Sequence, residues 1–145
     1  MVEDGSHLWQ CLIYIDLNIV RAGRASHPRD WEWTGYHELM GHRRRYRLLD
    51  LDQVCAAVGA KDLREFREHY ERAIEERLAR DIVAREPQWT ESLAVGSRAF
   101  VERISAQLGH RRRLDIQSLA NSENSWTLRE DNSPYTAFCP LQNRL

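Results

Sequence analysis

The sequence predicts a mainly α fold, a small helical bundle, on three observations. Apolar residues recur at helical spacing in several separate stretches, those stretches open on capping residues or close at glycines, and opposite charges sit four apart on the longest of them. With 145 residues, 42% hydrophobic and 30% charged, the chain suffices for one core, or one modest core with a smaller appendage.

The first element spans Leu8 to Val20 within WQCLIYIDLNIVRAG (9 to 23), and Gly23 supplies a left-handed stop. At about 100° per residue, Leu8, Leu12, Ile15 and Ile19 share one arc, with Trp9, Ile13 and Val20 on the flank beyond it. A narrow stripe remains, carrying Gln10, Tyr14, Asn18 and Arg21. The helix is thus expected to be buried on nearly all sides except along this line of hydrogen-bonding groups. Asp16 falls on the apolar side and requires a cap, a partner or local water. Periodicity by itself makes Tyr14 a core tyrosine with a satisfied hydroxyl.

SHPRDWEWTGY (26 to 36) reads as a structured loop in which Trp31 and Trp33 are packing residues. His42 to Arg47 forms a basic turn: Arg43, Arg44, Arg45 and Arg47 can grip phosphates and Tyr46 can stack on an unpaired base, unless the turn is simply solvated. Asp50 or Asp52 caps a short helix carrying Val54, Cys55 and Val58, which Gly59 stops. Asp62 opens a longer helix through Leu63, Phe66, Tyr70, Ile74 and Leu78, with Glu68/Arg72 and Glu76/Arg80 paired outside and an end before Pro87. Ser97 caps a last helix through Phe100, Val101, Ile104 and Leu108, closed by Gly109. The cluster from His110 to Arg113 follows that helix and neutralises its carboxyl end. The remainder is an extended tail containing Trp126, Tyr135 and Phe138. These signals divide the chain into residues 1–50, 51–109 and 110–145.

No apolar run approaches the ~18 residues of a membrane span, and no signal peptide precedes the first helix, so a cytoplasmic protein without membrane contact is expected. Three widely spaced cysteines make neither a zinc framework nor a closed disulfide set. Net charge is −1, which excludes coating of nucleic acid by bulk electrostatics but not local phosphate binding. Among 21 basic residues only Lys61 is a lysine. The arginine bias suits planar phosphate recognition, or follows from the base composition of the gene.

YIDLNIVRAG (14 to 23), followed by DWEWTGY (30 to 36), resembles the motif Tyr-Ile-x-x-Asn-Pro-Val-(Arg/Lys)-Ala-Gly and Asp-x-x-Trp-Ser-Ser-Tyr of REP-associated tyrosine transposases, members of the HUH family of single-strand DNA transposases. The match is densest from about Glu3 to Asp50; WTESLAVGSRAFVERI (89 to 104) and LREDNSPY (128 to 135) resemble the downstream part of one branch, less specifically. Ile19 replaces the usual proline. The resemblance implies the carboxyl-terminal part of an α/β ferredoxin-like transposase with a helical extension. Tyr14 would attack a DNA phosphodiester, forming a 5′-phosphotyrosine and releasing a 3′-hydroxyl. If the first helix serves as this strand-cleaving tyrosine helix, its Leu12, Ile15 and Ile19 side packs and Tyr14 and Asn18 face an open surface. Asn18 would join two histidines in holding Mg²⁺ or Mn²⁺ in the complete enzyme. Arg21 and the arginine turn would contact single-stranded or hairpin DNA.

The family's His-hydrophobic-His motif precedes the matched segment and is absent here: the six histidines are never two apart. The chain is therefore expected to hold no metal and to be inactive alone, with the missing amino-terminal half or a second copy as protein partner. An orphaned flank around Trp9, Ile13 or Leu17 would mark where that half belonged. The alternative is a non-catalytic helical module that binds DNA or protein.

Overall fold

The computed structural model describes residues 1–43, 48–109, 113–119 and 124–131. Helix α1 (Ser6–Asp16) runs through Leu17 into the short α2 (Asn18–Arg21) as one rod. The Leu17 N–H donates to the Ile13 carbonyl and the Arg21 N–H to the Leu17 carbonyl, each at 3.0 Å. Gly23, at φ 65°, ends it, and the Arg24 N–H returns to the Ile19 carbonyl at 3.1 Å.

A 3-10 turn (Pro28–Asp30) and α3 (Tyr36–Leu39) follow. Next come α4 (Leu51–Val58) and α5 (Leu63–Ala79). Asp50 caps α4 by accepting the Gln53 N–H at 3.1 Å. Asp62 caps α5 by accepting the Glu65 N–H at 2.8 Å. The charge pairs differ from expectation: Glu68 pairs with Arg64 one turn earlier on the exposed face, while the half-buried Arg77 reaches Glu86 beyond the helix end. Such surface pairs contribute at most ~1 kcal/mol each.

The remaining elements are α6 (Gln88–Glu91), β1 (Ala94–Gly96), α7 (Arg98–Leu108), β2 (Leu114–Ser118) and β3 (Trp126–Glu130). The strands form an antiparallel sheet in the order β1-β3-β2, with Val95 opposite Thr127 and Ile116 opposite Leu128. The fold is therefore mixed α/β rather than mainly α. The sequence signals predict no strand at residues 94–96 and only an extended tail where β2 and β3 pair. The physical reason is brevity: β1 is three residues long, and only alternate residues of β2, Leu114 and Ile116, turn inward. The amino terminus extends this sheet. Val2 bridges Val95 in parallel, and the Glu3 carboxylate accepts both the hydroxyl and the N–H of Ser97 at the start of α7.

Apolar side chains gather into two cores. The first joins Ile13, Leu17, Tyr36, Leu39, Cys55, Phe66, Tyr70 and Ile74, so residues on both sides of Asp50 share it. The second joins Ala94, Phe100, Val101, Ile104 and Leu128. Each large side chain so buried stabilises by ~1.5–3 kcal/mol. The rotation of α1 departs from expectation: Ile13 and Leu17 are buried, whereas Ile15 is 53% exposed. Periodicity drew an apolar arc wider than half the helix, and tertiary contacts decide which part of it faces inward. Among the described residues no helix is long and apolar enough to cross a membrane.

Candidate functional site

Tyr14, Asn18 and Arg21 lie on successive turns of the α1–α2 rod, and Arg21 joins them. Its guanidinium stands 4.1 Å from the Tyr14 ring centroid and donates to Asn18 Oδ1. Its Nε donates to the Val83 carbonyl at 2.8 Å, which fixes the arm. On another side the Trp89 ring lies 6.3 Å from that of Tyr14. The Tyr14 side chain is thus covered, and the residue is 3% exposed, where an open stripe was expected. Asn18 is exposed, as the stripe requires.

These residues do not by themselves make a divalent-cation site. Asn18 Oδ1 is turned toward a cation already present, the Arg21 guanidinium. A hard ion needs several oxygens, and among the described residues no three His, Cys, Asp or Glu side chains come together.

Asp16 supplies the feature that sequence reading left open. It is 2% exposed, accepts the Tyr36 N–H on Oδ1 at 3.0 Å and accepts the Tyr70 hydroxyl on Oδ2 at 2.7 Å. Burial pushes its carboxyl up to about 6, with the hydrogen bonds from Tyr70, Tyr36 and Gly35 pulling the other way. Burial and the nearby carboxylate raise the Tyr70 phenol well above its ordinary value. Gly35 allows the approach, since a Cβ there would lie 3.2 Å from Asp16 Oδ1. One buried carboxyl therefore ties α1 to the loop before α3 and to α5. A lone acid on an apolar helix face was the signal for it.

That loop is held by its backbone. The Thr34 hydroxyl donates to the Pro28 carbonyl at 3.1 Å, and the Thr34 N–H donates to the Trp31 carbonyl at 3.2 Å. Its tryptophans are not packing residues as expected: Trp31 is 39% and Trp33 76% exposed. Together with Ile15, Asn18, Ile19 and Thr34 they bound a shallow cleft of about 280 Å³. So the exposed apolar surface of this helix lies around Ile15, while the Trp9, Ile13 and Leu17 flank packs into or against the first core. Arg43 donates from its guanidinium to the Glu32 carbonyl, between the two tryptophans in sequence, at 2.8 Å. Arg44, Arg45, Tyr46 and Arg47 lie outside the described residues.

A larger cavity of about 800 Å³ opens between α1, α5 and residues 82–89. Two of its arginines are neutralised, Arg77 by Glu86 and Arg85 by Glu91. Compared with family models, curated proteins and solved structures, the chain matches none.

Proposed function

We propose that this chain is the carboxyl-terminal part of a REP-associated tyrosine transposase, acting on single-stranded DNA through Tyr14 and inactive by itself. The observation that carries the reading is the junction of its two motif segments. YIDLNIVRAG and DWEWTGY are separated in sequence, yet the Asp16 carboxyl of the first accepts the Tyr36 N–H of the second. A motif whose two halves form one structural unit is what a shared site requires.

In the reaction, the Tyr14 phenolic oxygen bonds to phosphorus, the bond from phosphorus to the 3′ oxygen breaks, and the phenolic proton leaves as the departing oxygen gains one. A neutral phenol is a weak nucleophile and needs a base or a metal ion to do this. Arg21 would receive the phosphate beside the ring. The same guanidinium, with Trp89, covers Tyr14, so a strand has access only after this cover moves. Mg²⁺ or Mn²⁺ belongs to the complete enzyme by resemblance, and its further ligands would come from outside this chain.

The test is covalent capture. A 5′- or 3′-labelled single-stranded oligonucleotide is incubated with the purified chain and Mn²⁺, with and without an amino-terminal half bearing the His-hydrophobic-His motif. The reading expects a denaturant-stable adduct only with both halves, and none with Tyr14→Phe. An adduct formed equally by Tyr14→Phe, or none in any combination, overturns it.

A further inference from the structure

The exposed tryptophan cleft beside Asn18 has no role in the chemistry assigned to Tyr14. We infer that it is a stacking site for an unpaired base of a single nucleic-acid strand, with Trp33 as the principal platform and Arg43 as the adjoining phosphate contact. This inference rests on the single-strand DNA reading above and names the surface that receives the strand.

Three observations carry it. First, Trp33 is 76% exposed although its loop is fixed by the Thr34 hydrogen bonds and by Asp16. An indole displayed on a held backbone offers a large flat face at little ordering cost. Second, the cleft pairs aromatic and aliphatic walls with one amide. Asn18 Oδ1 is occupied by Arg21, which leaves the Asn18 NH₂ to donate to a base edge. Third, a cation is tied to the loop that carries the platform. Arg43 is pinned at the Glu32 carbonyl, one peptide from Trp33, and among the described residues no carboxylate forms an ion pair with it.

Charge sets the character of the contact. Asp30 and Glu32 line the neighbouring cleft together with Arg29, His37, His42 and Arg43, and Arg29 is paired with Glu75. That cleft is mixed in sign and the chain carries net charge −1. Binding here therefore draws on stacking, which salt does not screen, more than on counterion release. A protein docked on the same patch would instead need a broad, dry apolar surface; a shallow cleft of about 280 Å³ with Asn18 and Thr34 among its walls suits one base better.

The test measures binding of the full chain to fluorescein-labelled oligothymidylate, and to an abasic chain of equal length, across a salt series. Trp33→Ala should weaken oligothymidylate binding roughly 5- to 150-fold, the range set by loss of one stacked base. It should leave the salt slope unchanged, and Trp33→Phe should restore most of the affinity. The abasic chain should bind weakly and be indifferent to Trp33→Ala. Arg43→Ala should lower the slope by ~0.7, one phosphate. Because Trp33 is exposed, far-UV circular dichroism of its variants should match that of the parent. Tight binding unaffected by Trp33→Ala overturns the stacking site and leaves the transposase reading standing. Failure to bind any single strand overturns the stacking site, while the transposase reading is decided by the two-half covalent capture above. Self-association abolished by Trp33→Ala, with no effect on oligonucleotide binding, makes the patch a protein interface and also overturns the proposal.

Discussion

Replacing Asp16 with asparagine should convert a pH-dependent stability into a nearly flat one. Burial raises the carboxyl from 3.8 to about 6 in the folded chain. Between those values the folded state holds the proton more tightly than the unfolded state, so stability is fullest below pH ~4 and falls as pH rises toward ~6. At 1.36 kcal/mol per unit, the loss is about 3 kcal/mol, a large share of the 5–15 kcal/mol typical of a domain. His27 acts in the opposite sense: burial lowers its pKa, so its contribution grows as pH rises through the unfolded imidazole range. Comparing the variant with the parent cancels that term. Asparagine keeps an acceptor for the Tyr36 N–H or the Tyr70 hydroxyl but does not titrate. Urea unfolding at pH 4 and pH 7, followed by near-ultraviolet dichroism, reports on Trp9, whose ring lies 5.5 Å from those of Phe66 and Tyr70. The stability difference between variant and parent should shift by about 3 kcal/mol in favour of Asp16→Asn from the lower to the higher pH. Parallel pH curves would refute the assignment of Asp16 as the desolvated acid.

Tyr70→Phe should cost ~1.5–3 kcal/mol at pH 7, because it removes a donor from a buried carboxylate, and less at pH 4, where the acid is protonated; the same unfolding series measures both. Ile13→Ala should cost ~2–5 kcal/mol, whereas Ile15→Ala should stay within ~0.5, a contrast that tests the rotation of α1. Gly96→Ala should destabilise by ~1–3 kcal/mol, since its Cβ would meet Glu3 Cβ at 2.7 Å and Phe100 Cδ1 at 2.6 Å; hydrogen exchange should show the loss first in β1 and α7. Arg21→Ala should uncover Tyr14, read as faster nitration of that residue with tetranitromethane. Replacing Arg43, Arg44 and Arg45 together by alanine should reduce the salt slope of single-strand binding by about 2, at ~0.7 per phosphate.

The features legible in the sequence are those governed by neighbours in the chain. Asp50, Asp62 and Ser97 announce their helices because a side-chain acceptor three residues before a free N–H is a local arrangement, and each bond forms as expected. Gly23 and Gly59 announce helix ends because left-handed backbone is a property of the residue itself. The rotation of α1 is not local. Its apolar arc admits several orientations, and the one adopted places Asp16 against Tyr70 and Tyr36, partners 54 and 20 residues away. A period of 3.6 carries no record of such partners.

The sheet escaped for a related reason. β1 has its strand partners in Val2 and in β3, both distant in sequence, and three residues are too few for alternation to register. The site divides along the same line. That Tyr14, Asn18 and Arg21 share a face follows from spacing. That Arg21 lies over the Tyr14 ring follows from its bond to Val83, 62 residues on. Covering by a distant segment is what makes Tyr14 a buried residue rather than one that points outward. The exposed aromatic surface at Trp31 and Trp33, within the second motif segment, has a local origin: their loop uses its hydrogen bonds to hold itself and Asp16, and both indoles stay at the surface.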